Sequence, residues 1–244
     1  MSLNPNNPPG SNFDLKYWEL QLPVKSQTSV QIIPSCELEK GYTSKYFFTN
    51  KTDGSMTFWC PANGATTPNS HYPRSELREN APKGDWNYLN GNHKLSASCT
   101  VTLLPNNKGI YIGQIHGDDG DHNPQLVKLL WSLDNKIIVE VQQDAKPGSY
   151  FKYDLGTFKL GEKLEYSFNL VNISKDNTKL TVTVVRIVNN KLVKKSITKT
   201  YKNKYWNKQK CYFKAGAYVQ EHTTDPNSTH AGSSQFYTLK VEHS

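Results

Sequence analysis

The strongest constraint on this chain is the period of its apolar residues: they recur at every second position, and no segment carries a sustained 3.6-residue stripe. Between Lys94 and Leu104, Leu95, Ala97, Cys99, Val101 and Leu103 alternate with Ser96, Ser98, Thr100 and Thr102. Lys179–Val188 sets Leu180, Val182 and Val184 against Thr181 and Thr183. Successive side chains of a strand point to opposite faces, so each segment reads as a half-buried strand. The pattern starts at Tyr17-Trp-Glu-Leu-Gln-Leu-Pro23 and ends with a strand over Gln235–Val241. Asp134-Asn135 separates Leu126–Leu133 from Lys136–Gln142 as a hairpin turn would, and Asp176-Asn177 and Asn189-Asn190 punctuate later strands in the same way. Many strands at short spacing without intervening helices predict an antiparallel sandwich or jelly roll. Residues 1–12, rich in Asn and Pro, are expected to be a disordered or loosely pinned lead-in, with one domain over 13–244.

Length and composition bound what that domain does. At 244 residues and 36% hydrophobic content it buries a sizeable core. No apolar run approaches the ~20 residues that span a bilayer. The N-terminus lacks the charged and apolar regions of a signal peptide, as in a cytosolic protein or in a mature or recombinant form. Net charge is +8, from 29 Lys and Arg against 21 Asp and Glu, which favours a polyanionic partner. The densest run, Lys191, Lys194, Lys195, Lys199, Lys202, Lys204, Lys208 and Lys210, reads first as a solvated hairpin edge guarded by lysines. Cys36, Cys60, Cys99 and Cys211 contain no Cys-x-x-Cys pair of the kind that binds zinc. Two disulfides or buried free thiols both fit them. Sequons at Asn50, Asn172 and Asn227 lean toward secretion.

Three segments depart from ordinary strand chemistry. In Tyr212–Gln220, one face carries Tyr212, Lys214, Gly216, Tyr218 and Gln220, while Cys211, Phe213, Ala215, Ala217 and Val219 suit a core. Arg74, Glu76 and Arg78 share a face of Arg74–Glu79, and Gln114 and His116 share a face of Ile110–His116. Taken singly, each has a plain reading: an exposed ion-pair ladder, a histidine at a strand end, a packed tyrosine with a bonded hydroxyl. Together they describe a groove of Arg, Gln, His, Lys and Tyr, provided that the three faces line one sheet.

Arg-Ser-Glu-Leu-Arg-Glu (74–79), Gln-Ile-His (114–116) and Tyr-Phe-Lys-Ala-Gly-Ala-Tyr-Val-Gln (212–220) closely resemble, in this order, the three signature segments of alginate lyases of polysaccharide lyase family 7. Trp18–Pro23 is also similar to the family, and the resemblance spans residues 13–242. It implies an all-β jelly-roll sandwich of two curved antiparallel sheets, with a concave substrate groove. It also implies β-elimination: the proton at C5 of a 1,4-linked uronate leaves as the oxygen at C4 is expelled. An ionised carboxylate makes C5 a poor acid, so the developing dianion needs fixed positive charge and hydrogen-bond donors. By resemblance Arg74 neutralises the carboxylate and Gln114 hydrogen-bonds it. His116, with a reference pKa of ~6.5, is the expected base. Tyr218 is the expected donor to the leaving oxygen, and for one epimer it takes the C5 proton as well. Lys214, Arg78 and Gln220 are expected to hold the chain, with Glu76 and Tyr212 in support and Gly216 leaving room for the sugar.

No cofactor or metal is required by this chemistry, because Arg74 and Gln114 supply the neutralisation. Gly117–Pro124 carries carboxylates from Asp118 to Asp121 but lacks EF-hand spacing, and it reads as a turn or loop at the groove rim. The expected partner is the anionic polysaccharide alginate, met outside the cell by a monomer, with no membrane or nucleic acid involved. In the resembled family the Gln-Ile-His form, rather than Gln-Val-His, goes with action on guluronate-containing stretches, so the resemblance leans that way. The rivals are a lyase for another polyuronate such as glucuronan, a non-catalytic carbohydrate-binding module, and a nucleic-acid binder, the last unsupported by any motif.

Overall fold

An amphipathic strand must bury one face, and pairing two such sheets face to face satisfies every strand at once. The computed structural model describes residues 2–80, 84–88, 90–120, 124–143, 149–202 and 206–244. In chain order the strands begin with β1 (Trp18–Lys25), β2 (Val30–Ile33), β3 (Phe47–Thr49), β4 (Met56–Pro61) and β5 (Arg74–Glu79). Next come β6 (Trp86–Asn87), β7 (Asn92–Leu103), β8 (Gly109–Asp118), β9 (Gln125–Ser132) and β10 (Lys136–Gln142). The last six are β11 (Tyr150–Thr157), β12 (Leu164–Ser174), β13 (Asn177–Val188), β14 (Lys191–Lys202), β15 (Lys210–Val219) and β16 (Ala231–His243). Two single-turn helices, α1 (Pro9–Asn12) and α2 (Ser35–Glu39), precede β1 and follow β2.

The strands form two antiparallel sheets, and the fold is a jelly-roll-like β-sandwich. The nine-stranded sheet runs β11-β10-β9-β8-β15-β5-β1-β2, with β6 beside β15; the seven-stranded sheet runs β14-β13-β12-β7-β16-β4-β3. Leu95, Ala97, Cys99 and Val101 of β7, Phe168 and Leu170 of β12, and Leu180, Val182 and Val184 of β13 face one core cluster. Ile110, Ile112 and Ile115 of β8 and Phe213, Ala215, Ala217 and Val219 of β15 complete it from the other sheet. Burial of each large apolar side chain contributes about 1.5–3 kcal/mol. Among the polar ties that cross the interface, the Tyr166 hydroxyl donates to Ile112 O at 3.0 Å, Ser234 Oγ to Gly216 O at 2.9 Å and the Tyr201 hydroxyl to Gln142 O at 2.9 Å.

The structure corrects several local expectations. Leu103 is 42% exposed, because β7 bulges between Val101 and Leu103 where it pairs with β16, and the bulge reverses side-chain parity. The β12–β13 turn is Lys175-Asp176, since Asn177 already pairs with Ser174. Asn189 and Asn190 do form the next turn, both with positive φ, and Asn135 likewise turns β9 into β10. The lead-in is held firmly. Leu3 packs on the core, Thr49 Oγ1 donates to Asn7 O at 2.6 Å, and a Cβ on Gly10 would meet Leu38 O at 2.0 Å. All four cysteines are free thiols, so the disulfide alternative falls; burial pushes the thiols of Cys60, Cys99 and Cys211 up. β14 is the terminal strand of its sheet and exposes Lys191, Lys194 and Lys195, as a guarded edge should. Lys204 lies outside the described residues.

Candidate active site

Register brings the three unusual segments together on adjacent strands. β15 lies between β8 and β5, so Lys214 pairs with both Gln114 and Arg78, Tyr212 with His116, Gly216 with Glu76, and Tyr218 with Arg74. The row through Lys214 continues to both sides. Lys152, Glu140, Lys128, Gln114, Lys214, Arg78 and Glu19 follow one another across seven strands from β11 to β1. At about 4.8 Å per strand, this is a polar band running across the outer face of the sheet. Above it lies a cavity of about 460 Å³, lined by Arg74, Gln114, His116, Lys214, Tyr218 and Gln220.

Glu76 organises the floor. It is fully buried, and its carboxylate accepts from Gln114 Nε2 at 2.6 Å and pairs with Lys214 Nζ at 2.7 Å and Arg74 Nη1 at 3.4 Å. A buried carboxylate needs such partners to offset desolvation. Glu76 therefore lies beneath the groove surface and orders the groups around it, rather than meeting a ligand itself. Lys214 also donates to Gln21 Oε1 at 3.0 Å. Burial, with Arg74 adding to it, pulls the Lys214 ammonium down to about 8, against the opposing pull of Glu76.

Arg74 and Tyr218 form the second part. The guanidinium lies 4.0 Å from the Tyr218 ring centroid, and Nη2 donates to Ser70 Oγ at 2.7 Å. The Tyr218 hydroxyl is 2.8 Å from the same Ser70 oxygen. Arg74 Nε and Gln220 Nε2 are buried donors without a protein partner. On the other side of Gln114, the His116 ring stacks on Tyr212 at 5.3 Å. Gln125 Oε1 accepts from the Tyr150 hydroxyl at 3.0 Å, so its Nε2 donates to His116 Nε2 at 2.9 Å. That leaves the His116 proton on Nδ1, near Gly117 O at 3.4 Å.

A model of the family described as Alginate lyase matches residues 13–243. The chain belongs to the alginate lyases of polysaccharide lyase family 7. Among solved structures, alginate lyase A1-II′ of that family is 36% identical, with a TM-score of 0.79 over 97% of this chain and 98% of its own. A variant of the same enzyme, with one histidine changed to asparagine and one tyrosine to phenylalanine, was solved in complex with substrate (GGMG). It is 35% identical, with a TM-score of 0.79 over 97% of each chain. A curated alginate lyase from Klebsiella pneumoniae is 42% identical over 80 residues, a match spanning 32% of this chain and 26% of the relative.

Within this alginate lyase fold, other sequence expectations are revised. Arg78 is committed to Asp85 at 2.7 Å and to the Tyr212 ring, 3.9 Å from its centroid, so the pair forms a rigid wall rather than a free cation. Gly216 does not make room for a ligand. Its φ is +148°, and a Cβ there would meet Ser75 O at 2.7 Å and Glu76 Cα at 2.8 Å, in the neighbouring strand. Asp118 accepts from Gly120 N at 2.7 Å, which is turn chemistry, while Asp121 lies outside the described residues.

Sequence reasoning missed much of the lining, including Gln21, Ser70, Lys108, Tyr111, Gln125 and Lys128. Lys128 pairs with Glu140 at 3.0 Å, and Lys108 donates to the Tyr111 hydroxyl at 2.8 Å, which donates on to Glu140 at 2.7 Å. Lys152 also pairs with Glu140 at 3.4 Å, so two lysines directly and a third through Tyr111 converge on one carboxylate and leave that flank positive. Burial lowers the Lys108 ammonium.

Proposed function

We propose that this chain cleaves alginate by β-elimination, leaving an unsaturated uronate at the new non-reducing end. The observation that carries this is the Glu76-centred floor: one buried carboxylate holds Arg74, Gln114 and Lys214 of three adjacent strands together, with His116 and Tyr218 on two of the same three. Arg74 and Gln114 stabilise the substrate carboxylate as charge develops, and their fixed placement means little reorganisation is needed. His116 Nε2 takes the C5 proton once substrate replaces the Gln125 amide. The C5–H electron pair becomes the C4=C5 bond, the C4–O pair leaves with the oxygen, and the Tyr218 hydroxyl protonates that oxygen. Where the C5 proton lies on the opposite face, as in the other epimer, Tyr218 serves as the base.

Lys108 and Lys128 at the groove wall favour a polyanion over a neutral glycan, and they support alginate as the partner. The relative's substrate complex, obtained with a histidine and a tyrosine replaced, involves the same two residue types assigned to proton transfer here. We extend the proposal to preferred action on guluronate-containing stretches and to work outside the cell, where such a polymer is met.

Absorbance of the new C4=C5 bond reads the reaction directly. Alginate, with defined mannuronate and guluronate blocks beside it, is expected to give a rise. His116→Ala and Tyr218→Phe are each expected to lower turnover by about 10²–10⁴ without loss of folding. No rise on alginate overturns the proposal, and binding without a rise points to a carbohydrate-binding module.

A further inference from the structure

Ser70 lies in the loop between β4 and β5, outside the three signature segments, yet its hydroxyl is heavily used. Four groups surround it: Arg74 Nη2 at 2.7 Å, Tyr218 Oη at 2.8 Å, and both Tyr72 N and Tyr72 O at 3.2 Å. A serine hydroxyl has two lone pairs and one proton. Arg74 Nη2 and the Tyr72 backbone N–H can only donate, so they take both lone pairs. One proton remains, and the nearer acceptor is Tyr218 Oη at 2.8 Å rather than Tyr72 O at 3.2 Å.

We propose that Ser70 is a positioning residue that donates its hydroxyl hydrogen bond to the Tyr218 oxygen and so turns the Tyr218 proton toward the groove. The inference rests on Tyr218 acting as the proton donor described above. With Ser70 filled by its other donors, Tyr218 cannot donate back to it, and its own O–H is left pointing at the position of the leaving oxygen. After that proton has moved, the phenolate keeps the Ser70 hydrogen bond and lies against the Arg74 guanidinium, whose carbon is 4.0 Å from the ring centroid. The Ser70 bond therefore strengthens as negative charge builds on Tyr218, the condition for an interaction to lower the barrier instead of merely tightening substrate binding. Because Ser70 also receives Arg74, one loop residue sets the geometry between the group holding the substrate carboxylate and the group protonating the departing sugar.

The test is steady-state kinetics on alginate with Ser70→Ala and Ser70→Thr, followed through the double-bond absorbance over a range of pH. Loss of a hydrogen bond to a developing anion is expected to lower kcat about 10–100-fold with KM changed by less than about threefold. The alkaline limb of the kcat profile is expected to move to higher pH, since the phenolate loses its donor. Ser70→Thr, which keeps the hydroxyl, should recover most of the rate. On a Tyr218→Phe background, Ser70→Ala should lower the residual rate by less than about twofold, because the two residues act as one unit. The inference is overturned if Ser70→Ala keeps kcat within about twofold. It is equally overturned if the loss is mainly in KM, which would place the effect on Arg74 alone, or if the alkaline limb does not move. These outcomes are read against an active wild-type chain; wild type without turnover would instead overturn the proposed function.

Discussion

Two buried glutamates three residues apart on β5 serve opposite purposes. Glu76 and Glu79 are 0% and 2% exposed, and their odd spacing sends them to opposite faces of the strand. Glu76, on the groove side, gathers Arg74, Gln114 and Lys214, all lining the cavity. Glu79 gathers structural groups. It accepts from Trp86 Nε1 at 2.8 Å and Phe213 N at 3.0 Å, and it pairs with His243 at the end of the last strand. Behind His243 lies His93, whose Nε2 donates to Asn90 O and whose Nδ1 accepts from His243 Nδ1 at 2.7 Å. The same residue type at the same burial thus organises chemistry on one face and closure of the sandwich on the other. Residue type and burial say that a charge is compensated. Only the identity of the compensating groups separates function from stability.

The sharpest separation comes from removing each carboxylate. Glu76→Ala leaves Lys214 and Arg74 without their buried counter-charge and is expected to lower stability by about 3–5 kcal/mol. Displacement of the groove side chains should also lower kcat/KM by about 100-fold or more, read at a temperature where the variant is folded. Glu79→Gln should lower unfolding free energy by about 3 kcal/mol in a urea titration. Its kcat below the melting transition should stay within about twofold of wild type; a large loss would mean that the two faces are coupled and the division is wrong.

The remaining effect is in pH, and it is absent at neutrality. Burial, aided by the neighbouring His243 and opposed by Glu79, lowers His93 to about 4. The unfolded chain takes up this proton near 6.5, while the folded chain resists it until about 4, so the unfolded state binds more protons across that window. Stability contributed by neutral His93 is therefore full above pH 6.5 and lost as pH falls toward 4, to a total of roughly 3 kcal/mol. His93→Asn should flatten this part of the stability curve between pH 7 and 4.5 relative to wild type, leaving the alkaline side unchanged.

Legibility of the site follows the regularity of its strands. Arg74, Glu76 and Arg78 pair in unbroken register with Tyr218, Gly216 and Lys214, and their shared face was readable from spacing alone. Gln125 and Lys128 were not, because β9 bulges between its pairings with Ile115 and His116, and two residues an odd number apart then face the same groove. A second bulge, in β8 between Tyr111 and Gly113, separates Tyr111 from Gln114 in the same way. Ser70 lies in a loop, where no periodicity exists to mark it. Arg78 and Gly216 were legible in position but not in use, since Asp85 and the backbone of β5 decide what they do.

Strand identity, the asparagine turns and the residue types able to support β-elimination are local properties, set by neighbours one or two positions away in the chain. They stand in the linear order of residues and need no fold to be read. Convergence is a different quantity. Gln114 and Lys214 meet because β8 and β15 pair across a hundred residues, in a register chosen by the whole hydrophobic face at once. The burial that commits Glu76 to its three partners, the bulges that admit Gln125, Lys128 and Tyr111, and the donor count at Ser70 all depend on that non-local pairing. Side-chain parity is inherited from the backbone, whereas hydrogen-bond partners are supplied by whatever the folded chain brings within 3 Å.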